Sequence, residues 1–440
     1  MKRYVFEIRF NGYIIIYDPI MNQIIIPSIN RKMNLPKRQN SYFPVKRELD
    51  KYVAKKYYKP LVFTIFQGLH CNLNCIYCFT PHKDNSIEIS EDLVRKGADF
   101  VAKNCKERNY PFNIGFRGGN EPLLKIEQVK RNLEICRDVA KRNKVSISVH
   151  AVTNGIIPES TAEWVSENFD SILLSWDGPK SIQDINRPLL NGNGTSEKIE
   201  KTAKIFQKQN SKIKILEVRP TITNDNVSRI PEIVEYFHSQ GIKYVAVYRA
   251  YQNHISTIDS NLLPNQDLFF KSFIKAQEFG IRHGMTVFYP GTRLNEIHDK
   301  NCYIFQNNLA VTPDGFFSSC FEATHNLVNE NNKFIYGEFN KELNELSFDW
   351  IKLLDIYKKL GSDYSQCETC FNILHCNKLC PDICILRDKP AERFDCSIEY
   401  NMGLLNILRQ IGYKFTEEEI ENPLEFFKKI QINRMIIQSK

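Results

Sequence analysis

The chain has 440 residues, 42% hydrophobic and 25% charged, with a formal net charge of +8; that length exceeds one compact core and predicts two or three domains. The charge is spread along the chain and no basic run interleaves with stacking aromatics, so nucleic acid is not an expected partner. The opening MKRYVFEIRFNGYIIIYDPIMNQIIIPS is apolar only in short runs, broken by Asp18, Pro19 and Asn22, and predicts neither a signal peptide nor a membrane span. A reducing cytoplasm is the expected location, where the 13 cysteines are candidates for metal ligands rather than disulfides.

In chain order, the first part alternates apolar and polar residues. Residues 4–10, 13–17 and 23–26 read as strands, with Asn11-Gly12 as a hairpin turn, and 45–56 as a short helix. From about residue 59 the pattern becomes strand, loop, helix. Strands are expected at 61–67, 112–117, 145–152, 171–175, 213–221 and 244–250, and helices near 90–104, 126–142, 159–168, 196–208, 228–239 and 265–283. That alternation implies a parallel sheet with crossover helices; periodicity does not choose between an open doubly wound sheet and part of a barrel. After about 290 come a hairpin around Pro313-Asp314-Gly315, a cysteine-rich irregular stretch over 367–396, and helical patterns at 400–411 and 424–437.

The segment Cys71-Asn-Leu-Asn-Cys75-Ile-Tyr-Cys78 follows the strand expected at 61–67. Zinc would want a fourth ligand, and His70 and His82 are near enough in sequence to keep zinc as an alternative. On a four-iron cluster, three cysteines leave one iron without a protein ligand. That iron can hold a small molecule and pass it an electron.

The CxxxCxxC spacing with Tyr77 before the last cysteine resembles the radical S-adenosylmethionine (SAM) superfamily. The resemblance implies that the amino and carboxylate groups of SAM chelate the open iron of a [4Fe-4S] cluster. An electron from a donor such as flavodoxin or ferredoxin then cleaves SAM to methionine and a 5′-deoxyadenosyl radical, which abstracts a substrate hydrogen. Phe116-Arg117-Gly118-Gly119-Asn120-Glu121-Pro122 resembles the family's Gly-Gly-Glu-Pro motif with Asn120 inserted. Thr153-Asn154-Gly155, Ser175-Trp176-Asp177-Gly178 with Arg187, and Arg219 stand at later strand ends. By resemblance, Tyr77, Gly118, Gly119, Glu121, Asn154, Ser175, Asp177, Arg187 and Arg219 bind the cofactor; each polar strand-end residue taken singly reads rather as a cap or turn residue, and their recurrence at successive strand ends tips the balance.

Eight cysteines lie after residue 300: Cys302, Cys320, Cys367, Cys370, Cys376, Cys380, Cys384 and Cys396. Seven of them, with Gly315, fall at the intervals of the SPASM domain, which binds auxiliary iron–sulfur clusters. The resemblance implies an outer cluster on Cys367, Cys370, Cys376 and Cys396, and an inner one on Cys302, Cys320 and Cys380. A zinc module is the alternative. Upstream of Cys302, where relatives carry a fourth inner ligand, residues 292–299 hold no cysteine. The inner cluster would then have an open iron, or use Glu296, His298 or a substrate thiolate. Cys384 is a spare ligand or a buried thiol, and Cys105 and Cys136 are expected in the core.

The expected architecture is therefore α/β: a partial (β/α)6 TIM-like barrel over 59–290, a small β-rich N-terminal module over 1–58, and a Cys-rich auxiliary-cluster domain with C-terminal helices over 291–440. The family resemblance implies a peptide maturase that installs a thioether or carbon–carbon crosslink in a ribosomally made precursor peptide. Formylglycine formation in a sulfatase is the second choice, and a non-catalytic iron–sulfur or zinc protein is the alternative of another class. Residues 1–58 sit where peptide maturases carry a leader-recognition element, and a sheet edge can accept an extended peptide; a stabilising cap is the competing role. No catalytic acid or base is assigned. Tyr248, Arg249, Tyr251 and Asp299 lie at the relevant end but read as structural.

Overall fold

The computed structural model describes residues 2–21, 23–29, 31–34, 58–78, 88–118, 120–250, 260–295, 307–321, 334–360, 367, 369–376 and 396–438. The expected helix at 45–56, and Gly119, Tyr251, Glu296, His298, Asp299, Cys302, Cys380 and Cys384, lie outside these residues.

The N-terminal strands β1 (Lys2–Phe10), β2 (Tyr13–Asp18), β3 (Gln23–Ile26) and β4 (Arg31–Asn34) form an antiparallel meander. Asn11 and Gly12, both at positive φ, make the first turn as anticipated. The sheet has a fifth member, β18 (Gln431–Gln438), which pairs with β1 from Lys2↔Gln438 to Arg9↔Gln431. This corrects the helix expected over 424–437. Pro423 opens a short helix that ends at Lys428, and the Ile-rich segment beyond it extends as a strand. Its apolar residues suit either period; pairing with β1 decides.

The second sheet carries the site. Strands β5 (Val62–Ile65), β6 (Phe112–Phe116), β7 (Ile147–Thr153), β8 (Ser171–Leu174), β9 (Ile215–Val218) and β11 (Tyr244–Ala246) pair in parallel in that order. The strands expected at 213–221 and 244–250 are each interrupted. Pro220 lacks an N–H for the ladder, and β10 (Thr221–Ile222) and β12 (Tyr248–Arg249) pair separately with each other. A further parallel strand, β13 (Thr286–Phe288), extends the sheet beyond β11; three residues are too short to give a periodic signal.

On the other side of β5, β14 (Asn308–Val311) is parallel to it, followed by antiparallel β15 (Phe316–Ser318), β16 (Gly337–Asn340) and β17 (Glu345–Phe348). Among the described residues the result is a mixed α/β sheet of 11 strands whose ends, β13 and β17, do not pair, so no closed barrel is seen there.

Helices α1 (Glu91–Glu107), α2 (Ile126–Asn143), α3 (Glu159–Asn168), α4 (Lys180–Asn186), α5 (Ser196–Phe206), α6 (Ile230–Ser239) and α7 (Gln266–Arg282) connect the parallel strands. Cys105 and Cys136 are buried on α1 and α2, as expected of core thiols. The C-terminal part adds α8 (Trp350–Leu360), α9 (Ser397–Gln410), α10 (Glu417–Glu421) and α11 (Pro423–Lys428). Among the described residues no helix is long and apolar enough to cross a membrane. The small sheet packs on the cysteine-bearing C-terminal segment: Phe6 and Tyr17 meet the ring of Phe371 edge-on, and Phe10 meets Tyr413.

Candidate active site

The three N-terminal cysteines lie on the loop leaving the C-terminal end of β5. That loop is held from two sides. Toward residues 186–190, Asn74 N–H donates to Pro188 O (2.9 Å), Ile76 N–H to Asn186 O (3.0 Å) and Leu190 N–H to Asn72 O (3.2 Å). Toward β7, Asn154 Nδ2 donates to Asn72 Oδ1 (2.9 Å) and approaches Cys71 Sγ at 3.7 Å, while Asn72 Nδ2 donates to Ile156 O (2.7 Å). Asn154 Oδ1 accepts from Ile156 N–H (2.8 Å), so the carboxamide is engaged at both ends.

Cys78 lies close enough to Cys71 and Cys75 for its charge to disfavour ionisation of both, and Cys71 acts likewise on Cys75. Burial is the larger influence: it pushes the Cys71 thiol up to about 11 and the Cys75 thiol up to about 12, with the Arg187 guanidinium pulling Cys75 the other way. Buried thiols of this kind ionise when a multiply charged cation binds them. Cys78 is exposed, so the trio opens to one side. Among the described residues no three His, Cys, Asp or Glu side chains are grouped to hold a single metal ion.

Behind the loop sits a buried polar hub. Asp177, fully buried after β8, accepts on Oδ2 from Tyr77 OH (2.5 Å) and Asn186 Nδ2 (2.9 Å), and on Oδ1 from Arg187 Nε (3.0 Å) and Thr221 N–H (2.9 Å). Its own N–H donates to Gln183 Oε1 (2.8 Å). Arg187 also reaches Thr221 Oγ1 (3.2 Å) and lies over the Tyr77 ring. Both oxygens of Asp177 thus accept two hydrogen bonds each, and the carboxylate ties Tyr77, Asn186, Arg187 and Thr221 together.

Glu121 has a comparable place on the other flank. It is 2% exposed and accepts from Thr153 Oγ1 (2.7 Å), Asn154 N–H (2.6 Å) and Leu123 N–H (3.1 Å). Burial outweighs these donors and pushes its carboxyl up to about 7. It therefore fastens residues 121–123 to the end of β7. Among the described residues Asn120 Oδ1 is buried with no hydrogen-bond partner. At Gly118 a Cβ would come within 2.9 Å of Phe66, so only glycine lets the chain pass there. Ser175 is buried and donates its N–H to Thr153 O (2.8 Å). Arg219 is half-buried over the Tyr248 ring.

The structure thus brings Tyr77, Glu121, Asn154, Asp177 and Arg187 around the cysteine loop. The supporting residues Asn72, Gln183, Asn186 and Thr221 escaped sequence reasoning; only the adjacency of Asn186 to Arg187 offered a signal.

The C-terminal cysteines form a second locus. Tyr400 feels the charge of both Cys370 and Cys396, which push its hydroxyl up beyond what burial alone does, to about 12; the two thiols thus flank one side chain. Cys370 N–H donates to Cys367 O (3.1 Å), Asn372 N–H to Cys370 Sγ (3.4 Å) and Cys376 N–H to Asn372 O (3.0 Å). Cys320 is buried just after β15, and Phe321 beside it stacks on the Arg117 guanidinium.

Residues 67–237 match the Radical SAM superfamily. A cysteine-type anaerobic sulfatase-maturating enzyme of Clostridium perfringens is 31% identical over 181 residues, 40% of this chain and 47% of that protein. The radical SAM cyclopropyl synthase TigE of Paramaledivibacter caminithermalis is 24% identical over 349 residues, 70% of this chain and 65% of that protein. The match to the sulfatase-maturating relative therefore spans about half its length. Two solved structures share the fold. Native anSMEcpe with bound AdoMet has a TM-score of 0.63 at 19% identity, covering 80% of this chain and 98% of that one. Streptococcus suis SuiB bound to precursor peptide SuiA has 0.51 at 14% identity, covering 90% and 99%.

Proposed function

We propose that this chain, whose residues 67–237 form a radical SAM domain, is an enzyme that modifies a peptide by hydrogen abstraction. The carrying observation is the electrostatic proximity of Cys71, Cys75 and Cys78 on the loop after β5, together with the Asp177 and Glu121 anchors around that loop. The three thiolates would hold a [4Fe-4S] cluster, with SAM beside Gly118, Glu121, Ser175 and Arg219. When bound, that pair supplies reductive cleavage of SAM and a 5′-deoxyadenosyl radical. The chain's own residues prepare the place. Arg187 favours the thiolate of Cys75. Asp177 fixes the Tyr77 ring and the Arg187 guanidinium. Glu121 and Asn154 hold the turn and the loop at fixed separation. Partial burial of Cys71 and Cys75 limits the access of water to these thiols.

By the same reading Cys367, Cys370, Cys376 and Cys396 hold an outer auxiliary cluster, and Cys320 is a ligand of an inner one with Cys302 and Cys380. The parallel run β5–β13 is the partial barrel. The expected divisions at about 58 and 290 separate it from the small sheet and the cysteine-rich part, and the pairing of β18 with β1 joins those two outer parts. A flavodoxin or ferredoxin would supply the electron in the cytoplasm.

SuiB, solved bound to the precursor peptide SuiA, supports a precursor peptide as substrate, and the cyclopropyl synthase TigE supports bond formation such as a thioether or carbon–carbon crosslink as the outcome. A second reading, oxidation of a sulfatase Cys to formylglycine, is favoured by the 31% identity to the sulfatase-maturating enzyme. The experiment is anaerobic reconstitution followed by dithionite, SAM and candidate peptides. SAM should yield 5′-deoxyadenosine, and Cys75→Ala should yield none. Loss of two hydrogens with sulfur retained marks a crosslink; a hydrazide-reactive aldehyde marks formylglycine. A reconstituted protein that produces no 5′-deoxyadenosine rejects the proposal.

A further inference from the structure

A strap of five residues after β13, Tyr289 to Arg293, runs from the parallel sheet into the C-terminal cysteine region. Tyr289 OH donates to Glu399 Oε1 (2.7 Å), Thr292 forms an isolated bridge with Cys376, and Arg293 N–H donates to His375 O (3.2 Å). At its centre lies Asn372, 1% exposed. Asn372 Nδ2 donates to Glu399 O (2.8 Å) and to Thr292 Oγ1 (3.4 Å), and its backbone N–H donates to Cys370 Sγ (3.4 Å). Helix α9 makes room for this side chain: a Cβ on Gly403 would stand 2.7 Å from Asn372 Cγ. One carboxamide is thus clamped between the strap, the α9 backbone three residues past Cys396, and a glycine gap, while the same residue's N–H points at a cysteine sulfur.

We propose that Asn372 is the positioning residue that sets the reduction potential of the outer auxiliary cluster, by fixing its N–H on Cys370 Sγ. The inference rests on the reading that the C-terminal cysteines hold an iron–sulfur centre. An N–H donor on a ligating sulfur stabilises the more negative, reduced centre and so raises its potential. A side chain in surface loops would leave the N–H free to turn away. Here the clamp leaves it no other direction.

The test uses the full chain with Cys71, Cys75 and Cys78 all replaced by alanine, so that only C-terminal centres titrate. Iron and sulfide are assayed after anaerobic reconstitution, and the signal is followed by electron paramagnetic resonance during titration with dithionite. Asn372→Ala should move the midpoint of one centre to more negative potential. Gly403→Ala, which keeps the carboxamide and only presses on it, should move the same centre in the same direction, and it provides the reading if Asn372→Ala fails to hold iron. Asn406→Ala removes a different anchor of the strap, the bond from Asn406 Nδ2 to Thr292 O (2.9 Å), and should leave the midpoint in place. Unshifted midpoints in Asn372→Ala and Gly403→Ala, or an equal shift in Asn406→Ala, overturn the assignment. If the background protein takes up no iron, the auxiliary-cluster reading fails as well, and the iron assay separates that outcome from a failure of Asn372 alone.

Discussion

At the scale of single residues, two buried carboxylates organise the site, and each has a distinct signature. Asp177 balances Arg187 with both groups nearly excluded from water. Asp177→Ala leaves that guanidinium buried without a counter-charge, which costs about 3–5 kcal/mol; the midpoint of urea unfolding of the apoprotein should fall accordingly, and an unchanged midpoint would contradict the hub. Glu121 is different because its carboxyl is raised from 4.5 to about 7 in the folded chain. Its protonated form is favoured by folding, so its contribution is fully present below pH 4.5 and is lost as pH rises through about 7. Relative to Glu121→Gln, wild-type apoprotein should lose stability between those two values. Parallel stability–pH curves for the two proteins would refute it. Both acids were legible in the sequence as members of strand-end motifs. Their hydrogen-bond partners were not, because these come from groups far away in the chain, here Tyr77 and Thr221 around Asp177.

At the scale of elements, the cysteine loop depends on the segments that brace it. Asn154 is the tie between the loop and β7. Asn154→Ala should raise the rate at which iodoacetamide alkylates Cys71 in the apoprotein, read by mass spectrometry, while Cys136, buried on α2, stays protected. Equal Cys71 rates would mean that the loop is held without it. The strands β5 to β9 and the helices α1, α2, α3 and α5 between them were readable from their alternation, whereas α4, of seven residues, was not expected. The strand β13 and the pair β10 and β12 were not, being two or three residues long. The segment ending in β18 was misread for another reason: its apolar residues satisfy both periods, and the deciding partner, β1, is some four hundred residues away in sequence.

At the scale of the whole molecule, the pairing of β18 with β1 makes the two ends of the chain one structural unit. Removing residues 431–440 exposes the backbone edge of β1, a nine-residue strand. An unpaired edge of that length templates association, so the truncated protein should scatter light and elute in aggregates where the full chain does not. Persistence of the full-length elution profile would show that the edge is dispensable. The pairing also changes how a leader-binding role for the small sheet is examined. Deleting residues 1–58 would orphan β18 along with any leader site, so the free edges β4 and β18 are the places to alter. The same sheet rests on Phe371, between Cys370 and Asn372, which places it directly against the outer cysteine site.

The central claim is that three thiolates leave one iron open to SAM. It is tested most directly by electron paramagnetic resonance of the reduced, reconstituted chain in which the C-terminal cysteines Cys320, Cys367, Cys370, Cys376 and Cys396 are replaced by alanine. Adding SAM should change the g-values of the remaining cluster, because the cofactor becomes a ligand of the open iron. A spectrum identical with and without saturating SAM would contradict the account.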